Sequence, residues 1–249
     1  MQIFRIFIVA FLFCIFGVLC LCGNIYFIPV IIFRLYKITF FRNLSRDIVR
    51  LSWRLFILAC RACGYLDYEY SDFKRLKSLE SCLIIANHPS LLDVVLIISH
   101  IPRINCIVKD GLKRNVFLYP AIKASGYILN TENEILLNNA TKALKSGESL
   151  LVFPEGTRTK ESIIFHKASS YIAINAAKYL AMIVIKMQPR SLQKGRKWYD
   201  TPKTKIKYSV SLYDIWDLGD YESDATNAIR VRRLHKNISE IYTKEWNNG

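Results

Sequence analysis

The chain has 249 residues, enough for one sizeable α/β domain with an apolar attachment and too few for two domains of ordinary size. Its 35 Lys and Arg against 20 Asp and Glu leave a net charge of +15, which points to an anionic partner, while much of its 52% hydrophobic content sits in the first 33 residues. The seven Cys make no even framework of the secreted kind, and Cys60 and Cys63 form a lone C-x-x-C with no second ligand pair, so no disulfide scaffold, metal or cofactor is expected.

From Ile6 to Phe33 the chain is apolar apart from Asn24, longer than the ~20 residues that cross a bilayer core as a helix. The run is too long for the apolar region of a cleaved signal peptide and lacks a small-residue cleavage site. Gly23, Asn24 and Pro29 leave two forms open, a spanning helix or a helical hairpin entering one leaflet. Only Arg5 precedes the run, whereas Arg34, Lys37, Arg42, Arg46 and Arg50 follow it. By the positive-inside bias, the rest of the chain is expected on the cytoplasmic side, at the inner membrane if the source is bacterial. Residues 44–63 read as an amphipathic helix with Arg46, Arg50 and Arg54 on one face and Ile48, Leu51, Leu55 and Leu58 on another. That pattern suits a lipid headgroup layer or an ordinary solvated face. The expected organisation is an anchor and interfacial helix over 1–63 and a globular domain over 64–249.

Past residue 64, short apolar runs alternate with helical patterns, which predicts an α/β fold with a mainly parallel sheet flanked by helices. The expected strands are 82–86, 105–109, 127–129, 150–153, 182–187 and 206–212. The expected helices are 91–99, 134–145, 167–179 and 225–246.

Two blocks carry chemistry. Asn87-His88-Pro89-Ser90-Leu91-Leu92-Asp93 follows the first of these strands, at the carboxyl edge where ligands of open α/β sheets gather. An Asp in the first helical turn can fold back onto one imidazole nitrogen of His88 and leave the other to accept a proton from a hydroxyl. Phe153-Pro154-Glu155-Gly156-Thr157-Arg158-Thr159 follows another strand and opens at the same edge. Gly156 permits a tight turn, and Arg158 supplies a planar fork matched to phosphate.

Together the two blocks, Asn-His-x-x-x-x-Asp and Phe-Pro-Glu-Gly-Thr-Arg some sixty residues later, resemble the lysophospholipid acyltransferase family over about residues 80–190. The resemblance implies direct attack by the acceptor hydroxyl without an acyl-enzyme. His88 and Asp93 are then the catalytic residues, and Asn87, Phe153, Pro154, Glu155, Gly156, Thr157 and Arg158 the substrate-binding set. It also implies acyl-CoA or acyl carrier protein as donor and a lyso-lipid of the 1-acylglycerol-3-phosphate kind as acceptor. Two positions depart from the family pattern: Glu132 stands where a phosphate-binding Arg is usual after Gly126, and Met182-Ile183-Val184-Ile185 lacks the usual Pro. The same chemistry on a non-standard acceptor, as in aryl-polyene-type pathways, and a catalytically idle lipid-binding protein are the alternatives. Between Lys186 and Lys207 stand eight Lys or Arg and one acidic residue, Asp200, with Trp198 and Tyr199 among them. This segment is expected to meet an anionic membrane surface or the phosphates of the donor, and not nucleic acid, since no nucleic-acid-binding module is present.

Overall fold

The computed structural model describes residues 2–247 except Lys77 and Arg196. Helix α1 (Gln2–Ile32) runs unbroken through Gly23, Asn24 and Pro29, the residues at which a hairpin break was open. Pro29 removes one hydrogen bond near the end without stopping the helix. The turn comes after the apolar run, at Arg34, which adopts a left-handed φ of 57° and sends the chain back as α2 (Thr39–Ala62). The hairpin therefore lies between α1 and α2.

Among the described residues, β1 (Leu66–Ser71), β2 (Cys82–Ala86), β3 (Asn105–Lys109), β4 (Ile128–Asn130), β5 (Leu150–Val152), β6 (Tyr179–Gln188) and β7 (Ile206–Asp217) form one sheet in the order β1-β7-β6-β2-β5-β3-β4. Neighbours are parallel except β6 and β7, which pair antiparallel with an irregularity at Met182 and Ile183. The β2 strand, Cys-Leu-Ile-Ile-Ala, is buried throughout, as a parallel strand covered on both faces must be. Ile84 and Ala86 join the core beneath α1, α2 and α3 (Asp93–His100). Leu83 and Ile85 join the core beneath α5 (Asn133–Lys145), α6 (Ala168–Ala176) and α7 (Asn227–Asn247). The short α4 (Tyr119–Ala124) packs against α1. Mixed α/β architecture with a mostly parallel sheet is thus the observed fold. Strand β1 and helix α4 were not foreseen: β1 buries only Leu66 fully and is otherwise polar, and α4 is under two turns long.

Helices α1 and α2, within the 1–63 segment expected as an anchor, share a core with the rest of the chain. Val9, Leu12, Phe27 and Val30 of α1 and Val49, Phe56, Ile57 and Cys60 of α2 belong to the same buried cluster as the sheet. Polar ties reinforce the packing at both ends of α1: the Arg5 guanidinium donates to the Tyr65 carbonyl at 3.2 Å, and Asn24 donates to the Phe117 carbonyl at 3.3 Å.

One expectation for α2 is corrected. Arg46 is buried, not aimed at headgroups; it donates to the Ser125 and Arg103 carbonyls and pairs with Glu148 at 2.8 Å. Arg42 joins Glu148 at 3.1 Å, and Asn105 donates to it as well. Gly126 is required here twice over, since its φ is 65° and a Cβ would sit 2.7 Å from the Arg42 side chain. The exposed face of α2 is instead apolar. Phe40, Leu44, Leu51, Leu55 and Leu58 fall within one narrow stripe of the helix and all are exposed, with Arg54 and Arg61 beside them.

Candidate active site

Strands β2, β5 and β6 run parallel, so the segments that leave their carboxyl ends emerge side by side. At the end of β2 the ladder is continued by a side chain. Asn87 Oδ1 accepts from the Ile185 N–H at 2.7 Å and Nδ2 donates to the Ile185 carbonyl at 2.8 Å. An amide mimics the next peptide group of the strand, and both of its polar ends are consumed, so Asn87 is buried and committed to holding the turn.

The turn delivers His88 to Asp93. His88 Nδ1 lies 2.8 Å from Asp93 Oδ2, and the fully buried carboxylate also accepts from the Ser90 N–H and the Ser90 hydroxyl, each at 2.7 Å. The Ser90 hydroxyl in turn accepts from the Leu92 N–H at 3.0 Å, so Ser90 ties the Asp93 carboxylate to the turn that opens α3. Behind them Tyr208, buried on β7, donates its phenol to Ser90 Oγ at 3.0 Å. Burial pushes the Asp93 carboxyl above its usual value, and the His88 ring and Ser90 donors pull it part of the way back. With Nδ1 facing the carboxylate, the ring carries its proton there and leaves the Nε2 lone pair unshared. One face of the ring rests on Phe153, centroids 4.4 Å apart.

The second block is bolted onto the first. Glu155 Oε1 accepts from the His88 N–H at 2.9 Å and from the Thr159 hydroxyl at 2.7 Å, and the Thr159 N–H donates to the His88 carbonyl at 2.7 Å. Burial raises the Glu155 carboxyl, while the Thr159 and His88 donors oppose that rise. Pro154 is buried, its carbonyl taken by the His166 N–H, and Gly156 turns the loop at φ 62°. Gly156 and Thr157 are exposed at the rim. Arg158 points inward: its Nη1 donates to the Leu192 carbonyl at 2.7 Å and the Gln193 carbonyl at 3.2 Å.

Of the residues expected at the site, the fold therefore brings His88, Asp93, Phe153, Glu155 and Asn87 into one contiguous group, with Gly156 and Thr157 at its rim. Glu132 sits elsewhere, at the start of α5, beyond the end of the edge strand β4. Ser90 and Tyr208 were missed by sequence reasoning. Ser90 had a signal, its Ser-x-x-Asp spacing to Asp93, whereas Tyr208 lies 118 positions from Ser90 and had none.

The model of the acyltransferase family matches residues 68–189, which contain both blocks. No curated protein matches the chain by sequence. Among solved structures, the chain is similar to the 1-acyl-sn-glycerophosphate (LPA) acyltransferase PlsC from Thermotoga maritima. The two share 20% identity with a TM-score of 0.64 over 92% of this chain and 95% of that one.

Proposed function

This chain belongs to the acyltransferase family, and on that premise we propose that it moves a fatty acyl group from a thioester donor to the hydroxyl of a lysophospholipid-type acceptor at a membrane surface. The observation that carries the reading is the His88–Asp93 pair at 2.8 Å, set at the carboxyl edge of β2. His88 Nε2 takes the proton of the acceptor hydroxyl as its oxygen attacks the thioester carbon. Asp93 holds the ring and stabilises the imidazolium that forms. The thiolate leaves as the carbonyl reforms, and the imidazolium returns its proton to the sulfur.

Direct attack also fits the state of Ser90 and of the two thiols buried in the sheet. Ser90 is fully buried with its hydroxyl given to Asp93, and burial pushes the Cys82 and Cys106 thiols up to about 12. Asn87, Glu155 and Thr159 act by holding the His88 turn, and Gly156 and Thr157 form the rim over which substrate enters. Glu132, in place of a cation, and the Pro-free β6 favour a second reading, the same transfer onto a hydroxyl acceptor without an ordinary phosphate headgroup.

Residues 1–63 serve this chemistry as the membrane contact. The exposed side of α1 is an apolar stripe that includes Phe4, Phe7, Phe11, Val18, Leu21, Ile25, Ile28 and Ile32, and the α2 stripe lies on the antiparallel partner. Because α1 is tied to the body at Arg5 and again at Asn24, a crossing helix would drag the polar body into the bilayer core. The hairpin instead lies along one leaflet, apolar stripes inward, with Trp198 edge-on to Phe13 at 5.8 Å and Tyr199 beside it at headgroup level.

The test is thiol release from acyl-CoA and from acyl carrier protein by purified protein in detergent, with a panel of lyso-lipid and phosphate-free acceptors. Acceptor-dependent release supports transfer, and its best acceptor separates the two readings. No release with any pair would refute both.

A further inference from the structure

Building on the acyl-transfer reading, we propose that the cleft between the end of β6, the loop 189–193 and the end of α7 binds a phosphate group of the substrate, with Arg190 and Lys186 as its ligands. The walls of the cleft include Asn87, Pro89, Lys186, Arg190, Gln193 and Trp246. Asn87 and Pro89 flank His88 in the chain, so the cleft adjoins the turn that carries the base.

The cations are built for an incoming anion. The Arg190 guanidinium lies over the Trp246 ring, 4.6 Å from its centroid, and forms no ion pair among the described residues. Stacking holds the guanidinium by its face and leaves its N–H edge, the part that matches a phosphate, available. The Trp246 platform is itself fixed, because Nε1 donates to the Glu161 carbonyl at 3.1 Å. One turn earlier, the buried Tyr242 donates to the Ile85 and Ile183 carbonyls, each at 2.9 Å, which pins α7 to the middle of the sheet. Lys186 reaches Glu245 at 3.3 Å, a half-exposed pair whose loss costs little when a phosphate offers two charges in its place.

This placement also explains why Arg158 turns inward. By donating to the Leu192 and Gln193 carbonyls it anchors the loop that begins beside Arg190, so the cation expected to touch substrate positions the one that does. Glu132 stands where the family pattern has its phosphate-binding Arg, and Arg190 with Lys186 supply charge from the opposite side of His88.

A phosphate of this kind belongs either to the acceptor headgroup or to the phosphopantetheine arm of the donor. Calorimetry on the full chain in detergent separates them, using glycerol 3-phosphate for the acceptor and coenzyme A for the donor. Arg190→Ala and Lys186→Ala should each weaken one probe about tenfold or more, as expected for a lost charge-assisted bond, and leave the other within about twofold. Arg190→Lys should recover part of the loss. The probe that weakens names the source. Both side chains reach solvent, so the variants should melt like the parent; should one not, Arg190→Gln or Lys186→Gln replaces it. Parent and variants binding both probes equally, or the parent binding neither, would overturn the assignment. Binding that responds to these variants in a protein that transfers no acyl group would instead leave the phosphate site standing and refute the acyl-transfer reading.

Discussion

Tyr208 and Ser90 are 118 positions apart, yet the phenol of one donates to the hydroxyl of the other at 3.0 Å, directly behind the carboxylate that orients His88. The rear of the site is therefore a chain of buried hydrogen bonds, Tyr208 to Ser90 to Asp93 to His88. Ser90→Ala strands both the Tyr208 phenol and one Asp93 oxygen, and leaving buried groups unpaired costs about 1–3 kcal/mol each. Tyr208→Phe removes one donor and leaves Ser90 able to serve Asp93. Turnover should thus fall more in Ser90→Ala than in Tyr208→Phe, with the acceptor KM nearly constant in both. Steady-state kinetics on the two purified variants checks the order, and equal or reversed losses would show that the chain does not act through Asp93.

Glu155 gives a pH signature. Burial raises its carboxyl above the ordinary value of 4.5, so the folded chain holds this proton more tightly than the unfolded chain does. The resulting stability is fully present below the ordinary value and is lost as pH rises through the folded one. Glu155→Gln keeps an oxygen for the His88 and Thr159 donors but cannot ionise. The melting temperature of Glu155→Gln relative to the parent should rise from acid toward neutral pH. A difference that stays flat or falls over that range contradicts the assignment.

Much of this arrangement was legible in the sequence. Strands 82–86 and 105–109 stand where the apolar runs placed them, because each is short, continuous and bounded by polar residues. The meeting of the two blocks followed from their shared position after parallel strands. What periodicity does not show is how a long polar side chain spends its bonds. Arg46 reads as a headgroup cation every four residues from its neighbours, but Glu148, from another element, draws it into the core. Arg158 reads as a phosphate ligand, and the fold adds two loop carbonyls that accept from its Nη1. Both outcomes depend on partners more than 30 positions away.

The Glu148 hub should be structural. Removing it strands the buried Arg46, and breaking such a pair costs about 3–5 kcal/mol. Denaturant unfolding in detergent should show a loss of that order for Glu148→Ala and much less for Lys236→Ala, whose side chain is exposed.

The α2 stripe separates membrane contact from folding. Leu51, Leu55 and Leu58 are 56%, 49% and 45% exposed, so replacing all three with Ser should leave the melting temperature near that of the parent. Vesicle binding should fall about tenfold or more, since each Leu forfeits apolar burial in lipid. Spin labels at positions 4, 18 and 32, in a chain lacking Cys14, Cys20 and Cys22, should report similar depths if α1 lies along one leaflet. A label at 18 much deeper than those at 4 and 32 would indicate a crossing helix.

The central claim is that His88, oriented by Asp93, deprotonates the acceptor hydroxyl, and the most direct measurement is acyl transfer by purified His88→Ala against the parent at saturating donor and acceptor. A positioned general base contributes about 10²–10⁴-fold. The variant should lose at least that much while keeping its melting temperature and vesicle binding, and Asp93→Asn should keep a small residual rate. Turnover of folded His88→Ala within about tenfold of the parent, or a trapped acyl-serine or acyl-cysteine on the protein, would contradict the mechanism.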